Sequence, residues 1–528
     1  MPARVSACLL AFLLLAPFAI GQDEGSGDTL VVLPFENRAQ APGLEWIGEA
    51  FPEVLSERLA SPSMFAVPRQ SREYAFERVG VPSNAKLSRA TLYRIAEQMD
   101  VDQVVLGWFA YDGTNFSAHS QLLNMRSLRL SSEMVESGPL PKIIEVMTAL
   151  AWDLQRLSAP ALTTSRNDFI ASWPPIRLDA FENYVRGVTA SSKQEKIARL
   201  REAVRLNPAY AQALLQLGKA QYESRDYAGA TKTLGAVNRS DPAALEANFY
   251  LGLASFYAND LDTAENAFTY VGSLLPLAEI INDRGVVVAR RAKRSATEYF
   301  QRAVQGDPKD ADLHFNLGLS LLRSGDSGNA AKHLKEGLVL QSSDQEAKSL
   351  LEIASAPSVP PDTHLPLERL KTNYDEASFR QLEWQIRRAN EDRLAHAAPE
   401  EHARFHCERG GQMLSQGFVL EAEKEFREAI EHDPALPEAH TGLAQTLETR
   451  SATIPAASIV EAARSEANTS IRLKPNAEAY LVLARLDLRE NKPENASEWV
   501  AKALELDPKN ASALAVQRMV VTRMQPAQ

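Results

Sequence analysis

An α+β domain followed by an all-α repeat solenoid in two blocks is the fold class that the sequence predicts, on three observations. Between residues 28 and 160, segments of alternating hydrophobicity take turns with segments of helical periodicity. From Phe181 onward no convincing strand pattern occurs, and the sequence repeats itself instead. That repetition is interrupted once, between Asp344 and Glu401.

The chain has 528 residues, 45% hydrophobic and 24% charged, an ordinary globular balance that at this length implies roughly three or four compact units. Its formal charge of −11 opposes non-specific binding to nucleic acid, which needs a basic surface to displace counterions. The first element is an export signal. Arg4 supplies a positive start, residues 7–18 are almost uninterruptedly apolar, and Ala19-Ile20-Gly21 places small residues before Gln22. This pattern predicts a signal peptide over residues 1–21 and a periplasmic or secreted protein; an uncleaved anchor is the competing reading. No later segment has the run of apolar residues that a membrane span requires. Of the two cysteines, Cys8 falls within the signal, so the mature chain keeps Cys407 alone. Intramolecular disulfides and Cys₄ or Cys₂His₂ zinc sites are thereby excluded.

In the domain at 28–160, strands are expected at 29–35, 65–68, 103–111 and 116–130, and helices at 44–59, 87–99 and 142–157. Trp46, Ile47, Phe51, Val54, Leu55 and Leu59 recur at helical spacing, and Asp112-Gly113-Thr114-Asn115 marks a hairpin turn. Pro160, Pro174 and Pro175 punctuate a polar stretch, so 161–180 reads as a linker. Pro208, Pro242, Pro276 and Pro308 then close successive units at separations of 34, 34 and 32, with Ser342 another 34 on. Pro434, Pro475 and Pro508 form a second series, separated by 41 and 33. A small residue lies twelve positions before each closing position: Ala230, Ala264, Ala296, Ala330, Ala422, Ala463 and Ala496. Leu217-Gly218, Leu251-Gly252 and Leu317-Gly318 mark the middle of a first helix, where a small residue lets antiparallel helices approach. One such pair cannot bury its apolar face alone, so neighbours must stack.

This pattern resembles the tetratricopeptide repeat, a helix–turn–helix unit of roughly 34 residues. The blocks are expected at 181–356 and 400–528, the second ending in a capping helix over 511–524, with an irregular helical connector at 357–399. Within the first block, the unit closing at Pro308 is expected to start from the basic run Arg290-Arg291-Ala292-Lys293-Arg294 instead of a Leu-Gly helix. The first domain resembles the TolB-like amino-terminal domain of bacterial envelope proteins. The residues that carry this likeness are Leu30-Val31-Val32-Leu33-Pro34-Phe35-Glu36-Asn37, Trp46-Ile47-Gly48-Glu49-Ala50, Asp102-Gln103-Val104-Val105-Leu106-Gly107 and Ala118-His119-Ser120-Gln121-Leu122-Leu123. That resemblance implies an α+β interaction module with no catalytic residues to carry across.

The chemistry-bearing motifs are weak. Gly325-Asp326-Ser327-Gly328 imitates a serine-protease nucleophile region but falls on an inter-helix turn. His402 and His406 share a helix face, yet lack the Glu of a metalloprotease motif, so no metal and no cofactor are expected. Arg290, Arg291 and Arg294 read as a solvated face, without aromatic residues interleaved as stacking platforms. The repeat resemblance implies instead a concave groove lined by first helices. It assigns Gln212, Leu215, Lys219, Tyr222 and Glu223 from one unit, and Glu246, Phe249, Leu253, Phe256 and Tyr257 from the next. Asp312, Phe315, Leu319, Leu322 and Arg323 come from a third. A groove of aromatic, aliphatic and charged groups suits a helix or an extended peptide, so the expected partners are other proteins. The expected function is thus a non-catalytic exported adaptor. The alternative is a periplasmic receptor whose first domain binds a small ligand or glycan and signals through the repeats.

Overall fold

The computed structural model describes residues 28–39, 41–82, 85, 87–158, 163–291, 295–356, 364–372 and 375–524. The expected signal peptide lies outside the described residues.

The amino-terminal unit is a mixed sheet between two helical layers. Its elements are β1 (Asp28–Val32), β2 (Glu36–Asn37), α1 (Ile47–Leu59), β3 (Met64–Ala66), α2 (Arg69–Val79), α3 (Arg89–Gln98), β4 (Gln103–Tyr111), β5 (Asn115–Asn124), β6 (Arg129–Leu130), β7 (Met134–Pro139) and α4 (Ile143–Ser158). The order β3-β1-β4-β5-β6 places β1 parallel to both β3 and β4, with β5 antiparallel to β4; β2 also pairs with β4, and β7 with β5. Alternation along each strand divides the core. Leu30, Val32, Val105 and Phe109 meet α1 and α4 on one face, while Val31, Leu33 and Val104 meet α2 and α3 on the other. The expected hairpin turn joins β4 and β5, where Gly113 adopts φ +97°. The expected long strand 116–130 is broken, because Leu128 takes a positive φ and turns the chain into β6. Helix α2 and strand β7 were not anticipated: α2 has strongly polar composition, and β7 (MVESGP) lacks a continuous apolar face.

The stretch read as a linker carries α5 (Arg166–Ala171), whose Phe169 joins the same apolar core as α1. That core continues without interruption into the first repeat helices, α6 (Leu178–Val188), α7 (Lys193–Leu206) and α8 (Ala211–Glu223). Trp46 packs edge-on to Phe181, and Tyr184 donates a 2.7 Å hydrogen bond to Glu53.

Paired helices then follow: α9 (Tyr227–Leu234) with α8, α10 (Ala244–Tyr257) with α11 (Leu261–Leu274), α12 (Ala278–Arg291) with α13 (Thr297–Gly306), and α14 (Ala311–Arg323) with α15 (Ser327–Leu340). Helix α16 (Gln345–Ser355) closes this series, and α17 (Glu376–Ala395) lies in the connector. The second series comprises α18 (Pro399–Ser415), α19 (Val419–His432), α20 (Pro437–Thr453), α21 (Ala457–Leu473), α22 (Ala477–Arg489), α23 (Pro493–Leu506) and the terminal α24 (Ala511–Met524). Close approach at the crossing explains the glycines. A Cβ on Gly218 would lie 2.4 Å from Leu234, and one on Gly252 would lie 2.6 Å from the Phe268 ring. Asp226, Asp260 and Asp326 cap the second helices.

The unit closing at Pro308 does not begin at the basic run. Its first helix is α12, with Gly285 at the crossing against Phe300, so Arg290 and Arg291 stand at the end of that helix. Both are paired, Arg290 with Glu368 at 3.5 Å and Arg291 with Asp262 at 2.6 Å and Glu265 at 2.7 Å. The second series shares one apolar core with α8–α12: Tyr270 meets Phe418 edge-on at 5.5 Å, and Arg239 lies over the same ring.

Candidate partner-binding groove

The first-helix positions assigned to the groove fall into three different environments. Leu215, Leu253, Leu319 and Leu322 point into the helical core and are buried there, which removes them from any binding surface. Tandem units stack first helix on first helix, so these aliphatic side chains are consumed by the stacking itself. Gln212, Tyr222, Phe256 and Asp312 are half-buried, and Glu223, Tyr257 and Arg323 are exposed. Tyr222 belongs to an aromatic group with Tyr250 at 5.8 Å and Tyr257 at 6.3 Å, and Tyr227 stacks on Tyr257 at 4.8 Å.

The remaining positions face a segment of the same chain. Residues 364–372 run along α12 and α14, and α17 continues across α8 and α10. Asn316 clamps the backbone of Arg369 from both sides, accepting from its N–H at 2.7 Å and donating to its carbonyl at 2.7 Å. Asn282 donates to the same carbonyl at 3.1 Å, and Asp283 accepts the Lys371 N–H at 2.7 Å. All three clamping side chains are fully buried. Side chains fix the register. The Arg369 guanidinium lies 3.6 Å over the Phe315 ring, and it pairs with Asp312 at 3.0 Å, Asp344 at 2.5 Å and Glu346 at 2.9 Å. Lys371 reaches Asp310 at 2.7 Å and Asp312 at 3.0 Å, while Glu368 receives Arg323. Further along, Lys219 is enclosed by Glu246 at 2.7 Å and Glu376 at 2.5 Å, Arg380 pairs with Glu246 at 2.8 Å, and Phe379 approaches Phe249. Trp384 then donates to the Ser61 carbonyl at 2.8 Å and packs on Phe65, tying α17 to the β3 edge of the first unit.

Electrostatics follow from this enclosure. Burial opposes the Lys219 charge, but Glu246 and Glu376 outweigh it and hold the ammonium above its ordinary range. Burial likewise works against ionised Glu246, and the adjacent Arg380 and Lys219 overcome it, keeping the carboxylate below its usual range. Asp344 is lowered by its hydrogen bonds to Arg369. Asp283 behaves oppositely. Full burial pushes it well above the carboxylate range, because the Lys371 amide and Asn282 compensate only in part.

Sequence reasoning named Lys219, Glu246, Phe249, Asp312, Phe315 and Arg323, each of which touches the connector. It missed Asn282, Asp283, Asn316, Arg369 and Lys371. The misplaced start of the third unit concealed Asn282 and Asp283. Gly252, Gly285 and Gly318 are evenly separated by 33 residues, and that spacing would have restored α12 to the series. Arg369 and Lys371 lie in an aperiodic stretch, where only charge opposite Asp310, Asp312 and Asp344 offered a signal.

The other motifs resolve locally. Gly325, at φ +87°, and the cap residue Asp326 form the α14–α15 turn. His402 and His406 both face His432, with ring centres 4.6 and 5.7 Å away, and His406 pairs with Glu425 at 2.9 Å.

Family models identify the repeats in the helical region. The tetratricopeptide repeat family model matches residues 215–270, 288–345 and 477–510. No match is found among curated proteins. Similar solved structures include MamA from Desulfovibrio magneticus RS-1, 22% identical over 32% of this chain and 99% of that one, with a TM-score of 0.29. A tetratricopeptide repeat protein from Parabacteroides merdae is 13% identical over 59% of this chain and 98% of its own, with a TM-score of 0.25. A thermophilic TPR protein in Thermus thermophilus is 17% identical over 33% of this chain and 98% of its own, with a TM-score of 0.25. On the family-model matches, the chain carries tetratricopeptide repeats in both helical series, behind an amino-terminal sheet.

Proposed function

We propose that this chain is a non-catalytic scaffold that holds partner proteins on the concave faces of its repeats. In this reading the segment 1–21 exports it, residues 28–160 form a TolB-like interaction module, and it works in the periplasm or at the bacterial envelope. The repeats at 181–356 and 400–528 are the binding blocks. One observation carries the proposal: first helices of the first block already grip an aperiodic segment of their own chain through its main chain, by Asn316, Asn282 and Asp283. Main-chain recognition is indifferent to side-chain identity, so the same groups suit a partner segment of similar conformation. A partner entering there displaces residues 364–372, and its affinity is reduced by the stability of that internal contact.

Crosslinking in native envelopes, followed by identification of the captured protein, tests the reading. Replacing Arg369 and Lys371 together by Ser weakens the internal competitor while sparing the groove. Capture should rise roughly tenfold for every 1.4 kcal/mol removed. Tyr222→Ala with Phe256→Ala should lower capture. Specific capture unaffected by either pair would remove the groove from the function.

A further inference from the structure

His314, on α14, occupies the sixth position after Pro308, and His440, on α20, the sixth after Pro434. In both, Nε2 meets the proline carbonyl, at 3.1 and 2.9 Å. A carbonyl only accepts, so Nε2 carries the proton and the neutral ring turns a bare Nδ1 lone pair the other way. At His440 that nitrogen meets one carboxylate, Glu466 at 2.6 Å, and taking up a second proton makes an ordinary ion pair. At His314 it meets two groups one helical turn apart on α15: His333 Nδ1 at 3.3 Å and Glu336 Oε2 at 3.4 Å. His333 Nδ1 and Glu336 Oε2 are themselves 3.2 Å apart.

Three electron-pair donors thus converge on one point as a nearly equilateral triangle. A single proton can link two of them but leaves the third facing another lone pair. A metal ion satisfies all three. Ligands held 2.0–2.1 Å from a tetrahedral ion stand about 3.3 Å apart, the spacing zinc requires of nitrogen and oxygen donors. The Pro308 carbonyl is the outer partner that fixes a ligating imidazole in its tautomer and orientation. His314 is buried, whereas His333 and Glu336 are partly exposed, so the fourth corner of the tetrahedron opens toward solvent. Among the described residues, no other group of three His, Cys, Asp or Glu side chains presents its ligand atoms so closely.

We propose that His314, His333 and Glu336 form a zinc site on the α14–α15 hairpin, with its fourth position taken by water or by a donor side chain from a bound protein. The i,i+3 pair on α15 and the rigid placement of His314 by its own helix start make the site preformed. It is independent of the groove and of the scaffold reading.

Full-length protein stripped with a chelator and titrated with zinc ion alone should bind one equivalent at this site, with X-ray absorption reporting nitrogen and oxygen donors near 2.0 Å. His333→Gln with Glu336→Gln, both at partly exposed positions, should lose that equivalent, weakening binding more than about a hundredfold, beyond the cost of losing an outer-sphere partner. Circular dichroism should confirm that the variant keeps its helical content. His402→Gln with His406→Gln should retain the equivalent, separating this site from the histidines near His432. Absence of zinc binding by the parent protein, or equal binding by the His333/Glu336 variant, overturns the proposal.

Discussion

Two kinds of single residue matter most to this molecule, those that permit close approach and those that hold a proton. Gly252 permits approach: any side chain there meets the Phe268 ring, which is fully buried and has no room to withdraw. Gly252→Val should therefore destabilise the repeat region by about 1–3 kcal/mol, the cost of overpacking a closed core. Thermal unfolding followed by far-ultraviolet circular dichroism, which reports helix content, checks this, and an unchanged midpoint would mean that α10 and α11 separate freely. His440 holds a proton. Its hydrogen bond to Glu466, aided by the Pro434 carbonyl, outweighs burial and raises its pKa above the ordinary histidine value. The folded state then binds this proton more tightly than the unfolded chain does. The associated stability is complete below the unfolded value near 6.5 and is lost as pH rises through the raised folded value. Melting temperatures measured from about pH 6 to about pH 9 should fall less steeply for His440→Gln than for the parent. Identical slopes would count against a charged His440–Glu466 pair.

At the scale of elements, the connector is held by its backbone more than by its own regularity. Residues 364–372 have no helix or strand to satisfy their main-chain groups, so Asn316, Asn282 and Asp283 do so instead. A buried donor or acceptor deprived of its partner costs about 1–3 kcal/mol. Asn316→Leu leaves the Arg369 N–H without its partner, and its carbonyl with Asn282 alone. It should accelerate hydrogen exchange of this segment by roughly ten- to a hundredfold, while exchange within α10 and α11 stays the same. Protection that remained equal in the variant would show that the Arg369 and Lys371 ion pairs suffice by themselves. The strength of those pairs is consistent with their setting: Arg369 is bound by several carboxylates and lies on an aromatic face, a better arrangement than an isolated surface pair.

Across the whole molecule, α17 and the core around Phe418 join three regions that the sequence presents as consecutive. Helix α17 touches the first repeats through Glu376, Phe379 and Arg380 and touches the sheet unit through Trp384. The second series does not simply extend the first beyond α16; it lies against α11, where Phe418 is enclosed by Tyr270 and Arg239. Truncating a buried Phe to Ala costs about 3–5 kcal/mol. Phe418→Ala should loosen the second series from the first and increase the radius of gyration in small-angle scattering. A scattering curve matching the parent would place the cohesion in α17 alone.

The local part of this structure was written in the residues. Tandem Pro and Leu-Gly spacing specifies helical hairpins because each needs a small residue at its crossing and a stop at its end, and both are short-range requirements. The terminal helix 511–524 and the Gly113 turn follow for the same reason. Helix α2 escaped notice because its polar sequence acquires a buried face only against β1 and α3, and β7 because its residues are at most half-buried and carry no apolar alternation. The repeat resemblance named Lys219, Glu246, Phe249, Asp312 and Phe315, all of which the connector contacts, but it could not tell them from leucines such as Leu253 that the helical core buries. Tertiary structure alone decided that residues 364–372 and α17 would lie against these first-helix residues, and that His314 would meet His333 and Glu336. Both depend on which helices stack and on the path of an aperiodic segment, which are set by the burial of surfaces far apart in sequence and leave no period to read.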